Sequence, residues 1–250
     1  MISFVSVIIP CLNEELSIAR CVKDAARALA DQGYPCEIIV VDNGSNDNSV
    51  VNAQSSGATV YSCLERGYGA AIDYGILRAK GDVVLVMDGD GSYDLSTLSL
   101  FFDAVSKGAE FVNGNRFNRA SPEPGAMPWL HENIGNPFFR AMAKLFFSAN
   151  FRDLTSGIYC FPSASYDGLK PCSRGFEACL EIKIKAINMR LSTTEVLVKL
   201  VKTHPQRCSK LRTFRDGFRH FLLMLTYFLS RKYVGFFIPL LFKFDRRFEV

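Results

Sequence analysis

Asp88 and Asp90 stand one residue apart where the apolar run Val83-Val84-Leu85-Val86-Met87 ends. Two carboxylates so placed suit a divalent cation with oxygen-only ligands, magnesium or manganese, which would in turn hold a diphosphate. An Asp-Gly turn is also ordinary loop chemistry, so the strand that delivers it carries the weight. Two further runs stop the same way. Val7-Ile8-Ile9 breaks at Pro10-Cys11-Leu12-Asn13-Glu14-Glu15, and Val40-Val41 breaks at Asp42-Asn43-Gly44-Ser45. Arg116 follows another predicted strand, and its guanidinium can pair bidentately with phosphate. Asp94 is either an added ligand or a helix N-cap. Arg66-Gly67-Tyr68-Gly69-Ala70-Ala71 has the outline of a phosphate loop, but its small residues equally permit close helix–sheet packing.

Those turns converge only if the runs are parallel strands whose C-terminal ends share one crevice. The patterning predicts strands over 4–9, 37–41, 58–62 and 83–87, with helices over 14–31, 47–54 and 67–79 between them. Alternation of this kind implies βαβ units and a mostly parallel sheet. Beyond residue 95 the pattern predicts a helix over 96–107, a strand over 110–114, a surface loop over 120–128 and a helix over 134–149. A short strand over 157–161, a helix over 175–188 and a strand over 192–201 follow.

The chain has 250 residues, 48% of them hydrophobic, and a net charge of only +4. That is enough apolar material for a large α/β core, and too little charge for a general nucleic-acid role. Eight cysteines lack CxxC spacing, and three histidines argue against a zinc site. The first strand starts almost at Met1 with no signal peptide before it, so the cytoplasm is the expected compartment. Basic charge gathers late, with seven Lys or Arg residues and one acid, Asp216, between Lys199 and Arg219. The apolar runs Phe221–Leu229 and Val234–Phe242, split by Ser230-Arg231-Lys232, fall short of the ~20 residues of a spanning helix. Their basic, aromatic flanks suit amphipathic helices in the membrane interface; the alternative is a helix pair packed on the body or on a partner.

The order and wording of these segments resemble family 2 glycosyltransferases of the GT-A fold, a Rossmann-like nucleotide-diphospho-sugar transferase architecture. Within the family they look most like polyprenyl-phosphate enzymes of the dolichyl-phosphate mannose synthase type. Pro10-Cys11-Leu12-Asn13-Glu14, Asp42-Asn43-Gly44-Ser45 and Asp88-Gly89-Asp90 are shared family-wide. Gly114-Asn115-Arg116, Asp153-Leu154-Thr155-Ser156-Gly157, Gly175-Phe176-Glu177 and Cys208-Ser209-Lys210-Leu211-Arg212 point to the lipid-phosphate branch. The resemblance spans about residues 4–220. It implies a catalytic domain over 1–210 and a membrane-interfacial tail over 211–250. The implied reaction is metal-dependent, inverting transfer of a sugar from a nucleotide-diphosphate sugar to a polyprenyl phosphate.

On that reading Pro10, Leu12, Glu14, Asp42 and Asp88 bind the donor nucleotide, although Asp42 could instead make an Asx-turn and Glu14 a helix cap. Asp88 and Asp90 hold Mg2+ or Mn2+, and Asp90 and Arg116 are catalytic. Arg116, Lys210 and His131 meet the acceptor phosphate, while Asp153 and Glu177 face the sugar or acceptor. Asn43 replaces a frequent second aspartate, and Ser92 stands where a glutamine often supplies a metal ligand. His131 takes the place of an expected second arginine, though a lone histidine is more often structural. The implied partners are the donor, the lipid, the membrane surface and a membrane-anchoring protein, with peripheral membrane association on the cytoplasmic side.

The nearest alternative keeps the fold and transfers sugar to a saccharide or other hydroxyl in cell-surface polysaccharide synthesis. That reaction needs a carboxylate base, for which Asp153 or Glu177 would serve. A sugar-phosphate nucleotidylyltransferase would show a glycine-rich Arg/Lys loop after the first strand, and Leu12-Asn13-Glu14-Glu15 lacks one. A non-catalytic nucleotide-binding scaffold would tolerate Asp90→Ala.

Overall fold

The computed structural model describes residues 2–117, 123, 125–207, 210 and 212–232. Its first half alternates β1 (Val5–Cys11), α1 (Ile18–Ala30), β2 (Cys36–Asp42), α2 (Ser49–Ser55), β3 (Thr59–Ser62), α3 (Tyr68–Ile76) and β4 (Val83–Val86). There follow α4 (Leu98–Ser106), β5 (Phe111–Asn115), α5 (Asn136–Phe147), β6 (Tyr159–Pro162), α6 (Tyr166–Leu169), α7 (Glu177–Asn188), β7 (Thr193–Leu197) and α8 (Thr213–Lys232). One seven-stranded sheet runs in the order β3-β2-β1-β4-β6-β5-β7. The chain moves outward from β1 to β3, then returns to the other side of β1 as β4. That reversal places the crevice of an open α/β sheet at the ends of β1 and β4.

β1 is buried at all seven positions and β4 at all four, so both read as unbroken apolar runs rather than alternating ones. One apolar layer packs under α1 and α4 on one face of the sheet. The other lies beneath α3, α5, α7 and α8 on the opposite face. Glycine lets α3 sit close: a Cβ at Gly75 would fall 2.6 Å from Ile8 Cγ2 and 2.8 Å from Val41 Cγ2. Within the Gly67–Ala71 segment, a Cβ at Gly69 would fall 2.5 Å from Ala178 Cβ and from Ser173 O, so the small residue there serves packing against α7 and the segment before it.

β6 runs antiparallel to both β4 and β5. Its approach segment, residues 153–157, therefore lies at the same sheet edge as the exits of β4 and β5. Several boundaries differ from those predicted. Helix α1 begins at Ile18 rather than 14, because Asn13, Glu14 and Glu15 bond to the β2–α2 loop and the first residue of α2. One π-helical turn, His131–Gly135, precedes α5. The predicted strand 192–201 shortens to Thr193–Leu197, with Leu200 forming an isolated bridge to Tyr93. Ser230-Arg231-Lys232, expected to interrupt the tail, completes α8. The apolar run 234–242 and Cys208, Ser209 and Leu211 lie outside the described residues. No described helix is long and apolar enough to cross a membrane.

Candidate active site

The Asp88-Gly89-Asp90 turn is held from below and from both sides. Ser17 Oγ donates to Gly89 O at 2.8 Å, tying the turn to the start of α1. Tyr68 O–H donates to Asp88 Oδ1 at 2.6 Å, and the Tyr68 ring stacks on Phe176 at 5.0 Å. On the other side a Cβ at Gly157 would fall 2.0 Å from Asp88 Oδ2, so only glycine leaves the carboxylate its place. Burial and the adjacent Asp90 push the Asp88 carboxyl up to about 6, against the pull of the Tyr68 hydrogen bond, Arg116 and Arg207. Asp90 Oδ1 accepts from Ser92 N at 2.9 Å, and its Oδ2 lies 3.4 Å from Arg207 Nη2.

Beside this turn two loops are stitched together. Asn13, in the left-handed region at φ 51°, donates its N–H to Ser45 Oγ and accepts from Asn46 N through Oδ1. Glu14 N donates to Ser49 Oγ at 2.7 Å. Asp42 is buried and accepts from Gly44 N and Ser45 N at 3.1 and 3.0 Å, an Asx-type turn that fixes its carboxylate at the strand tip. Asn43 binds the neighbouring loop, donating to Cys63 O and Glu65 O and accepting from Gly67 N. Over these loops lies a basic segment. Arg207 grips Glu14 with two hydrogen bonds, and Lys210 Nζ donates to Asn13 O at 2.8 Å and pairs with Glu14 at 3.5 Å. A cavity of about 320 Å³ opens between Asn13, Glu14, Leu16 and Asp47 on one wall and Arg207 and Lys210 on the other.

On the opposite side Arg116 closes a two-pronged pair on Asp153, Nε to Oδ2 at 2.6 Å and Nη2 to Oδ1 at 2.8 Å. Its Nη2 also reaches Thr155 Oγ1 at 2.9 Å, and Thr155 donates to Asn136 Oδ1 at 2.7 Å. Burial opposes ionisation of Asp153, yet the Arg116 cation outweighs it and holds the carboxyl below the usual carboxylate range. Glu195 supports the loop from β7 by accepting from Arg152 N and Asp153 N. Fully buried Lys183 donates to Ser156 O at 2.7 Å, and burial lowers its basicity. His131 Nε2 lies 3.0 Å from Thr213 Oγ1; burial and the nearby Arg116 charge lower its pKa. Glu177, the first residue of α7, accepts from Gly175 N at 3.3 Å beside the Tyr68–Phe176 stack.

The structure thus gathers Glu14, Asp90, Arg207 and Lys210 on one flank and Arg116, Asp153, Thr155 and His131 on the other, with Asp88 between the two arginines. Lys210, expected beside Arg116, has its described contacts on the Glu14 flank, with Asn13 and Glu14. Sequence reasoning missed Arg207, Tyr68 and Lys183. The basic run from Lys199 to Arg219 held the signal for Arg207, and the glycines around Tyr68 marked its helix. Lys183 sits in a helix whose pattern gives no hint of a buried ammonium.

Among the described residues no three His, Cys, Asp or Glu side chains form a complete metal cage. Two crowded carboxylates with a cation already drawn to Asp90 nevertheless fit a hard divalent ion that takes its remaining ligands from donor phosphates.

Comparison with known proteins agrees with this geometry. The chain is similar to the low-salt glycan biosynthesis hexosyltransferase Agl6 of Haloferax volcanii, 33% identical over 222 residues, which are 88% of this chain and 52% of that protein. It is 27% identical over 190 residues to a dolichol-phosphate mannosyltransferase of Pyrococcus furiosus, covering 72% of this chain and 52% of that one. The chain spans about half the length of each. Glucosyl-3-phosphoglycerate synthase from Mycobacterium tuberculosis, solved with Mn2+ and UDP-glucose, matches with a TM-score of 0.69 at 21% identity, over 90% of this chain and 79% of that one. That likeness is one of fold, and the fold is GT-A. The model of glycosyl transferase family 2 matches residues 6–166, from β1 through the acidic turns and the loop that carries Asp153 to the first residue of α6. The chain belongs to glycosyl transferase family 2.

Proposed function

We propose that this chain is an inverting glycosyltransferase that moves a sugar from a nucleotide-diphosphate sugar to a polyprenyl phosphate. One observation carries the choice of acceptor. Asp153, the acceptor-side carboxylate best placed to act as a base, is locked onto Arg116, whose charge lowers its affinity for a proton. A hydroxyl acceptor needs a base to take its proton, whereas a phosphate monoester is already an anion near neutral pH. In the reaction an acceptor phosphate oxygen bonds to the anomeric carbon, and the bond to the donor diphosphate breaks with its electron pair. No proton need move. Relatives named dolichol-phosphate mannosyltransferase and dolichyl-phosphate hexose transferase support the same acceptor class.

Glu14 and Asp42, with Pro10 and Leu12, would shape the nucleoside pocket, and Asp88 and Asp90 would hold Mg2+ or Mn2+ against the diphosphate. That ion, when bound, neutralises charge building on the leaving group. Arg116, steadied by Asp153, would present its charge to the acceptor phosphate beside His131, with Lys210 guarding the donor flank. Glu177 would orient the sugar. Residues 1–210 form the catalytic unit in this reading, and 211–250 meet the cytoplasmic membrane surface, with or without an anchoring protein.

The second reading, a hydroxyl acceptor, draws on the phosphoglyceric acid bound by a solved structural neighbour. A transfer screen separates the two. UDP-, GDP- and dTDP-sugars would be tested with Mg2+ or Mn2+, with and without a polyprenyl phosphate. Lipid-phosphate-dependent release of one nucleoside diphosphate is the expected result. Metal-dependent donor binding without lipid-stimulated turnover would remove the lipid-phosphate reading.

A further inference from the structure

Helices α5 and α8 lie side by side and run parallel. Contacts pair along their whole length: His131 with Thr213, Phe139 with His220, Phe138 with Phe221, and Phe146 stacked on Phe228 at 4.3 Å. The inner face of α8 is spoken for. Asp216, His220, Leu223 and Met224 are buried, and Tyr227 O–H donates to buried Glu181 at 2.7 Å.

The outer face is apolar as well. Phe214, Phe218, Leu222 and Leu229 are all exposed, Phe214 by 84%, and their spacing of four, four and seven puts them on one stripe. On the neighbouring helix Ile134, Phe138 and Leu145 are exposed at spacings of four and seven, Leu145 by 77%. The Phe138–Phe221 contact joins the two stripes into one patch. Trp129, the only tryptophan of the chain, is 68% exposed just ahead of it. Single exposed leucines need no explanation, but two aligned apolar stripes on adjacent helices mark an interaction surface.

We infer that this α5–α8 face docks flat on a bilayer surface containing anionic lipid. The charge pattern selects that occupant. Helix α5 carries Arg140 and Lys144, both exposed, and no acid. The one acid of α8, Asp216, is buried and taken up by Arg212 N and Arg215. Aromatic side chains inside a basic margin match the headgroup region, where apolar area and attraction to anionic lipid act together. The face begins at the His131–Thr213 contact, beside Arg116, so a bilayer-held phosphate would arrive at the acceptor flank. The inference rests on the lipid-phosphate reading for its purpose. It goes beyond a membrane-bound tail by extending the contact from α8, the start of that tail, onto α5 in the body of the domain.

Trp129 makes the test direct. The full chain would be mixed with phosphatidylcholine vesicles, with or without phosphatidylglycerol, while tryptophan emission and sedimentation are followed. Blue-shifted emission and co-sedimentation with the anionic vesicles are expected. Phe214→Ser with Phe218→Ser should weaken binding by roughly tenfold or more, because each exposed aromatic gains its burial from the bilayer. Lys144→Gln, a surface change that leaves the fold alone, should weaken it less and only on anionic vesicles. Unchanged sedimentation of the double variant, with its thermal midpoint preserved, overturns the inference. So does a dimer by light scattering that the same variant converts to monomer, since a second copy would then cover the patch. Emission already blue-shifted in a lipid-free monomer, and unmoved by vesicles, overturns it too, because the chain would cover its own face. Transfer to a short-chain polyprenyl phosphate in solution reads the acceptor chemistry without a bilayer, so that reading can fail separately.

Discussion

Arg207 grips Glu14 across 193 residues of sequence, Nε to Oε2 at 2.7 Å and Nη2 to Oε1 at 2.8 Å, and the same Nη2 lies 3.4 Å from Asp90. Glu14 is buried, and Arg207 and Lys210 both pair with its carboxylate. The guanidinium therefore stands at the carboxylate that the proposed metal would use. Two cations cannot share Asp90 without repulsion. Arg207→Gln should therefore bind Mn2+ roughly tenfold more tightly in the absence of donor, the ~1.4 kcal/mol expected for removing one neighbouring charge at a partly solvated site. Titration of free Mn2+ by electron paramagnetic resonance checks this, and equal affinities would show that Arg207 and the metal do not compete.

Asp90→Ala tests the metal assignment itself. The substitution removes one carboxylate from a crowded pair and leaves the Ser17–Gly89 and Tyr68–Asp88 contacts in place. Folding should be nearly unaffected, while metal-dependent transfer should fall by at least about 100-fold. The measurements are kcat/KM across a manganese titration and the thermal midpoint. Activity retained with an ordinary metal dependence would remove Asp90 from the site.

Asn43 follows Asp42 at the tip of β2, and its hydrogen bonds call for an amide rather than a carboxylate. Its Nδ2 donates to Glu65 O at 2.7 Å and to Cys63 O at 3.3 Å, and its Oδ1 accepts from Gly67 N at 2.7 Å. Asn43→Asp keeps the acceptor but turns a carboxylate oxygen toward two carbonyls. A loss of about 1–3 kcal/mol in stability is expected, with a raised donor KM as the 63–67 loop loosens. Unfolding in urea and donor titration measure the two effects; an unchanged midpoint would mean that the loop is held by other contacts.

His220 makes the docking of α8 pH-sensitive. Burial lowers its pKa below that of an exposed histidine, even though the Asp216 carbonyl accepts from its ring. The unfolded chain therefore binds this proton more readily than the folded one. Stability is full above the unfolded pKa of about 6.5 and is lost as the pH falls below it, by at most ~1.4 kcal/mol per unit. Urea midpoints at pH 7.5 and pH 5.5 should differ more for the natural chain than for His220→Gln. Identical pH slopes would mean that other groups set the acid response.

Gly157 offers a steric probe of the same turn. An alanine there would drive its Cβ to 2.0 Å from Asp88 Oδ2, inside any tolerable contact. Gly157→Ala should displace Asp88 and abolish donor binding more than it lowers the thermal midpoint. Calorimetric titration with a nucleoside diphosphate and Mn2+ provides the check, and undiminished binding would show that the turn can move without cost.

Much of this molecule was legible in its residues. The buried parallel strands announce themselves as unbroken apolar runs, and the turns that end them carry Glu14, Asp42, Asp88 and Asp90 by name. Strand burial and turn chemistry are written within about ten residues, so local patterning suffices to find them. Which groups face one another is not written locally. Asp153 meets Arg116 because β6 enters the sheet antiparallel, and a four-residue apolar strand has no feature that states its direction. Arg207 reaches Glu14 because a basic segment folds back over the first loop, although as sequence it is one cation among seven. The apolar and basic character of the last forty residues is plain in their composition. That α8 commits one face to Glu181 and leaves the other bare beside α5 was decided by packing alone, since the helix offers apolar side chains on both sides.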